Sequence, residues 1–103
     1  MGTEYFLARP DNKTLFELGK SLINNAFYEL QELEPGETGP IPRNLRRRIS
    51  RALRDYDADY DWGDYANVVA TGIHTWAQDQ PVKFISENDD IAYEWERTGS
   101  RYE

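Results

Sequence analysis

The sequence has no cysteine and only one histidine among its 103 residues. The lack of cysteine excludes a disulfide scaffold, thiolate metal sites, iron–sulfur clusters and a cysteine nucleophile. It also fits a reducing compartment, because structural disulfides are concentrated in oxidising ones. No apolar run approaches the roughly 20 residues of a membrane-spanning helix, and no stretch has the pattern of a signal peptide. We therefore expect a cytoplasmic protein with no membrane partner.

Motifs for catalysis and for nucleotide binding are also missing. The sequence contains no glycine-rich phosphate loop, no dinucleotide fingerprint and no nucleophile elbow. His74 falls at the flank of a predicted apolar helix face, where we expect a backbone group or water to satisfy it, and acid–base work needs a positioned partner. The sequence predicts a protein that is not an enzyme, with no catalytic residues, no cofactor and no bound metal.

Enough bulky apolar residues are present for a folded core. The chain has 3 Trp, 7 Tyr and 4 Phe, and aromatic side chains bury large areas. A chain of this length hides roughly two-thirds of its unfolded surface on folding. We expect one domain over 1–103, in which 98–103 form a frayed tail.

Hydrophobic periodicity and turn residues predict six regular elements. In chain order they are a strand at 4–8, helices at 14–33, 44–56 and 61–78, and strands at 82–86 and 91–95. A capping-box pattern of Thr14 and Glu17 begins the first helix, and Asn44 is placed to cap the second. The last strand has a competing interpretation as a short helix that starts at Asp90.

This order of elements, β-α-α-α-β-β, predicts an α+β fold. Strands of this number and length favour a small antiparallel sheet of about three strands, with about three helices packed on one face. A linker over 35–42 joins the first two helices, because five of its eight residues are proline or glycine.

The net charge of −7 conceals a strong segregation of charge along the chain. Six of the 12 basic residues lie in or next to helix 44–56: Arg43, Arg46, Arg47, Arg48, Arg51 and Arg54. Four of them form a ridge at helical spacing: Arg43, Arg47, Arg51 and Arg54. The sign then reverses in a run of aspartates interleaved with aromatic residues: Asp55, Tyr56, Asp57, Asp59, Tyr60, Asp61, Trp62 and Asp64.

The aspartate run has two interpretations. Asp57, Asp59 and Asp61 have the 1-3-5 spacing of a calcium-binding EF-hand loop. The glycine comes one position late, however, and Val68 stands where a bidentate carboxylate is required. The favoured interpretation is a solvated acidic loop whose aspartates cap the following helix.

The arginine ridge has three interpretations. It can pair within the protein, with the aspartate run or with Glu29, Glu32, Glu34 and Glu37. It can contact nucleic acid, since a basic helix face is a common footprint for phosphates. It can also meet an acidic protein partner.

The leading hypothesis is a small interaction module that binds a protein partner, possible roles being those of an inhibitor or an immunity-type protein. The residues predicted to contact the partner are Arg43, Arg47, Arg51, Arg54, Asp57, Asp59, Tyr60, Asp61 and Trp62. The first alternative is a nucleic-acid-associated protein that uses helix 44–56. The second is an acidic mimic of nucleic acid. The sequence leaves the oligomeric state open.

Overall fold

The computed structural model describes residues 3–19 and 37–101. Five strands and three helices lie in these residues. In chain order they are β1 (Tyr5–Arg9), β2 (Thr14–Gly19), β3 (Thr38–Gly39), α1 (Leu45–Tyr56), α2 (Gly63–Ala77), β4 (Val82–Ser86), α3 (Ile91–Glu94) and β5 (Glu96–Ser100). The predicted α+β class is confirmed, whereas the predicted order of elements is matched only roughly.

The strands form one mixed sheet in the order β3-β4-β1-β2-β5. β1 is central and pairs antiparallel with β2 and with β4, and β3 extends the β4 edge. β5 pairs parallel with β2, so the prediction of an antiparallel sheet of about three strands is wrong in both strand number and direction. β3 itself lies within the predicted linker at 35–42.

The helix predicted over 14–33 is wrong at its start, because 14–19 form β2. Leu15 is buried on one face of the sheet, and Phe16 and Leu18 are buried on the other. A strand that is covered on both faces carries apolar residues on both. It therefore lacks the alternation of apolar and polar residues that identifies a strand, and its apolar positions can match the spacing of a helix. The hydroxyl of Thr14 donates to Asn12 Oδ1 at 2.6 Å in the hairpin turn instead of capping a helix. Residues 20–33 lie outside the described residues.

The C-terminal elements also differ from the prediction. Residues 91–94 form α3, preceded by Asp90, so the strand over 91–95 is wrong and the competing short helix is confirmed. The Ile91 N–H donates to Asp89 Oδ1 at 3.0 Å, and Tyr93 is 77% exposed where the strand interpretation places it inside. Of the predicted frayed tail, residues 98–100 belong to β5.

Each face of the sheet carries its own apolar cluster. α1 and α2 pack with Leu7, Phe16 and Phe84 on one face. Phe6 and Leu15, on the opposite face, pack with Ala92 of α3 and with other apolar side chains. The prediction that all helices lie on one face is therefore wrong, since α3 covers the other.

The predicted helices 44–56 and 61–78 are confirmed as α1 and α2, which pack against each other and against the sheet. Four apolar residues of α1 at helical spacing are buried: Leu45, Ile49, Ala52 and Leu53. Tyr56, at the end of the helix, is 53% exposed. Because the apolar side of α1 is held in the core, its arginine-bearing side faces solvent.

A buried guanidinium group fixes the end of α2 against the β1–β2 turn. Arg9 donates from Nη1 to the Trp76 carbonyl at 2.7 Å, and from Nε and Nη2 to the two carboxylate oxygens of Asp11 at 3.0 and 2.6 Å. Trp76 in turn donates from Nε1 to Thr98 Oγ1 of β5 at 3.0 Å and packs against Phe16. These contacts connect β1, β2, β5 and α2.

Gly72 and Gly99 both face the Phe16 ring, and they offer a matched test of this packing. A Cβ at Gly99 would lie 2.5 Å from Phe16 Cδ2, whereas one at Gly72 would lie 3.7 Å from Phe16 Cζ. Because Phe16 is buried, we expect Gly99→Ala to lower the free energy of unfolding by about 1–3 kcal/mol. Gly72→Ala should raise it by about 0.5–1 kcal/mol through helix propensity. Denaturant unfolding measures both values, and equal stability of the two variants would contradict the packing.

Asp11 makes the stability dependent on pH. The hydrogen bond from Arg9 holds the pKa of the Asp11 carboxyl below its ordinary value of 3.8. A lowered folded-state pKa stabilises the protein above 3.8, and this contribution is lost as the pH falls through the folded-state value. We expect the unfolding free energy of Asp11→Asn to fall less steeply than that of wild type below pH 3.8. Asp59→Asn, which also removes one carboxylate, serves as the control. If the unfolding free energies of wild type and Asp11→Asn fell in parallel below pH 3.8, the Asp11 carboxyl would not contribute to the pH dependence of stability.

Candidate interaction surface

The exposed side of α1 forms a basic surface, here called the arginine face. Its members are Arg46, Arg47, Arg51 and Arg54, and all four are exposed. The burial of Leu45, Ile49 and Leu53 on the opposite side fixes this orientation. The helical spacing seen in the sequence thus places these guanidinium groups on one surface.

Within residues 3–19 and 37–101, none of the arginine-face side chains forms an ion pair or a hydrogen bond. Pairing with the aspartate run or with Glu37 is therefore not observed, while Glu29, Glu32 and Glu34 lie outside the described residues. Arg48 is different, because it is half-buried and its Nε donates to Asn44 Oδ1 at 2.9 Å. That bond occupies the Asn44 side chain, which makes no cap to α1.

All four arginines border one surface depression of about 360 Å³. The residues that line it are Arg46, Arg47, Ser50, Arg51, Arg54, Asp55 and Gly63. Ser50 is half-buried, and three of its four helix neighbours at three and four residues are Arg46, Arg47 and Arg54. The depression therefore presents a serine hydroxyl surrounded by guanidinium groups.

Arg43 lies apart from the other predicted contact residues. It lines a second depression, of about 220 Å³, together with His74, Asp79 and other residues at the end of α2. The structure thus brings Arg47, Arg51 and Arg54 together but does not add Arg43 to them. Arg46, Ser50 and Gly63 were not predicted as contacts. Arg46, Ser50 and Arg54 follow one another at intervals of four residues. This helical spacing is the sequence signal that identifies Arg46 and Ser50 as members of the same surface.

The charge arrangement in α1 is unfavourable for the isolated helix. The first turn carries Arg46, Arg47 and Arg48 and no acidic residue, although the positive end of a helix dipole favours anions. Arg47 and Arg51 are four residues apart, a spacing at which like charges repel by about 0.2–0.5 kcal/mol. Only Arg54, in the last turn, complements the dipole. Apart from Arg54, the arginines of α1 thus oppose helix stability.

Residues 57–62, here called the acidic loop, connect α1 to α2 beside the arginine face. Asp57 Oδ1 accepts from the Asp59 N–H at 3.1 Å, and Asp61 Oδ1 accepts from the Gly63 N–H at 3.0 Å at the start of α2. Trp62 donates from Nε1 to the Asp57 carbonyl at 3.0 Å. These bonds give the loop a defined conformation. The N-cap residue of α2 is Trp62, and no side chain makes a cap hydrogen bond there, so Asp61 closes a turn before the helix rather than capping it.

Two aromatic side chains project from this region into solvent. Tyr56 ends α1 and is 53% exposed, and Tyr60 in the acidic loop is 58% exposed. The Tyr60 ring packs against Trp62 with centroids 4.5 Å apart, and Trp62 contacts Tyr65 at 6.1 Å. Trp62 is half-buried against the core and orients the exposed Tyr60 ring. Exposed aromatic rings next to arginines are typical of interfaces.

In the described part of the chain, no group of three histidine, aspartate or glutamate side chains is arranged to hold a metal ion. This statement includes Asp57, Asp59 and Asp61. The side chains of Asp57 and Asp61 instead accept hydrogen bonds from backbone N–H groups. His74 is exposed on α2, and none of the hydrogen bonds within the described residues involves its side chain.

Asp61 and Asp59 provide a test of how the acidic loop is held. Removing the Asp61 carboxylate leaves the Gly63 N–H without its acceptor, so we expect Asp61→Ala to lower the free energy of unfolding by about 1 kcal/mol. The Asp59 side chain accepts no hydrogen bond from the described residues, and Asp59→Ala should change stability by less than about 0.5 kcal/mol. Thermal and denaturant unfolding compare the two, and identical losses would show that the Asp61–Gly63 hydrogen bond does not stabilise the loop.

The helices in residues 3–19 and 37–101 lack the length and apolar character needed to cross a bilayer. Comparison with known proteins gives no family model, no curated protein and no solved structure that matches this chain. We therefore infer the function from the geometry of the arginine face and the acidic loop.

Proposed function

We propose that this protein is a non-enzymatic interaction module of the cytoplasm that binds a protein partner through the arginine face and the acidic loop. The observation that carries the proposal is that the four exposed arginines of this face have no ion pair within the described residues. Arg46 and Arg47 are also unfavourable at the positive end of the helix dipole, and Arg47 and Arg51 repel each other. Side chains that are locally unfavourable and have no ion pair within the described residues are typical of a functional surface.

The distribution of charge favours a protein over a nucleic acid. Asp55 lines the same depression as the four arginines, and the acidic loop follows directly. A phosphate backbone presents negative charge along its whole length, so it would be repelled where the loop begins. A protein surface can instead place acidic groups against the arginine face and basic groups against the loop. The net charge of −7 adds to the repulsion of polyanions.

The exposed aromatic rings supply the second component of such an interface. Electrostatic complementarity mainly accelerates and orients association, whereas buried aromatic and arginine side chains carry much of the affinity. Tyr56 and Tyr60 are exposed within the charged region. A role as an inhibitor or an immunity-type protein fits this combination, because both roles require fast and tight association.

The second candidate is binding of nucleic acid by α1. The unpaired arginine face is the observation that favours it, since arginine and lysine contacts to phosphates supply most non-specific affinity. This candidate predicts nuclease-sensitive binding that weakens steeply with salt and that requires no protein partner.

A pair of variants with the same net charge tests the surface. Arg47→Gln, Arg51→Gln and Arg54→Gln together lower the net charge by three at the arginine face. Three exposed positions away from it, changed by Thr75→Glu, Gln80→Glu and Asn88→Glu, lower it by the same amount. Immobilised wild type and both variants are used to capture partners from lysate of the source cell at two salt concentrations, and the recovered protein is then titrated by calorimetry.

We expect wild type and the control variant to bind one protein with similar affinity. The arginine variant should bind it at least about 30-fold more weakly, the equivalent of one interface hot spot of about 2 kcal/mol. Equal binding by the two variants would exclude the arginine face. Recovery of nuclease-sensitive material, lost with the arginine variant, would replace the protein partner by nucleic acid.

A further inference from the structure

We propose that the depression above Ser50 is a binding site for a phosphoryl dianion, presented by a phosphorylated side chain of the protein partner. The inference rests on the proposed function, because it specifies the chemistry of the group that the partner inserts. The site is formed by Ser50 and four surrounding arginines: Arg46, Arg47, Arg51 and Arg54.

The arrangement of donors matches a compact anion with several oxygens. Each guanidinium carries five N–H donors in a planar fork that pairs bidentately with phosphate. A phosphoryl group has three terminal oxygens and a charge between −1.5 and −2 near neutral pH. It can therefore bind more than one arginine at once, whereas a carboxylate carries a single charge and two oxygens. The Ser50 hydroxyl makes no hydrogen bond to the described residues and can donate to the same group.

Electrostatics give a bound dianion a source of stabilisation. Arg47 and Arg51 both line the depression and repel each other across one helical turn, and a dianion between them screens that repulsion. Binding of the anion should therefore stabilise the folded protein beyond the effect of added salt.

The boundaries of the depression limit the size of the ligand. Its volume of about 360 Å³ is at the lower end of the range for ligand pockets. Asp55 lines it, and the acidic loop follows Asp55 closely along the chain. A phosphoryl group at the end of a side chain fits between the arginines, while a polyanion that continues past them meets carboxylates.

The first experiment measures the binding of pyrophosphate to the purified protein by thermal unfolding and calorimetry. Arg47→Gln removes a guanidinium from the depression, and Arg43→Gln makes the same change at an exposed arginine that lines a different one. With pyrophosphate at ten times its Kd, we expect the Tm of wild type and of Arg43→Gln to rise by about 5 °C or more. Arg47→Gln should lose most of this shift and bind at least about tenfold more weakly.

Sodium chloride at the same ionic strength serves as the reference for screening. A wild-type shift no larger than that in chloride would overturn the proposal. So would an equal loss of binding in Arg43→Gln and Arg47→Gln, because it would show that the anion responds to overall charge rather than to the depression.

The second experiment treats the captured partner with a phosphatase before rebinding. Loss of binding after the treatment, together with competition by pyrophosphate, would support the phosphoryl group as the contact. Unchanged binding that still requires Arg47, Arg51 and Arg54 would overturn this inference and leave the proposed function intact. Absence of any captured protein, with pyrophosphate bound specifically, would overturn the proposed function and assign the depression to a free phosphoryl ligand.

Discussion

The buried guanidinium of Arg9 is the interaction on which the placement of the other elements depends. It donates to the carbonyl of Trp76 near the C-terminal end of α2 and forms a two-bond pair with Asp11 in the β1–β2 turn. The last carbonyls of a helix lack partners within the helix, so a cation at this end satisfies an acceptor and complements the dipole. Through this group the position of α2 relative to the central strand β1 is fixed. Because α1 packs on α2 in the same apolar cluster, this contact also helps to place α1, whose orientation is fixed by the burial of its own apolar side.

The edge strand β5 is held by side chains as much as by its ladder to β2. Arg97 forms ion pairs with Glu4 at 3.7 Å and with Glu17 at 3.1 Å, and its guanidinium lies 4.7 Å from the centroid of the Phe6 ring. Arg101 donates to the Tyr65 hydroxyl at 2.7 Å, which ties the end of the strand to α2. Arginines in β1 and β5 therefore stabilise the fold, because each has a carboxylate, a carbonyl, a hydroxyl or an aromatic ring as partner.

The arginines of α1 present the opposite case. They share the residue type of Arg9 and Arg97, yet four of them are exposed and form no ion pair with the described residues. Natural proteins retain unfavourable local arrangements where function requires them and compensate elsewhere. Here the compensation is the burial of four apolar residues on the opposite side of the same helix. Unsatisfied positive charge, a neighbouring acidic loop and exposed tyrosines together give the surface its proposed capacity to bind a complementary partner.

The sequence by itself determined the elements whose pattern is local. α1, α2, β1 and β4 lie where periodicity and turn residues place them, because one face of each helix is apolar and the other polar, and the strands are bounded by proline and turn residues. The charge segregation is equally visible in the sequence. Only the tertiary structure decided the rest: β2 pairs on both sides and is buried on both faces, which removes the alternation that identifies a strand. β5 is polar, and it forms through its pairing with β2 and the hydrogen bond from Trp76 to Thr98. The depression over Ser50 depends on which side of α1 is buried in the core.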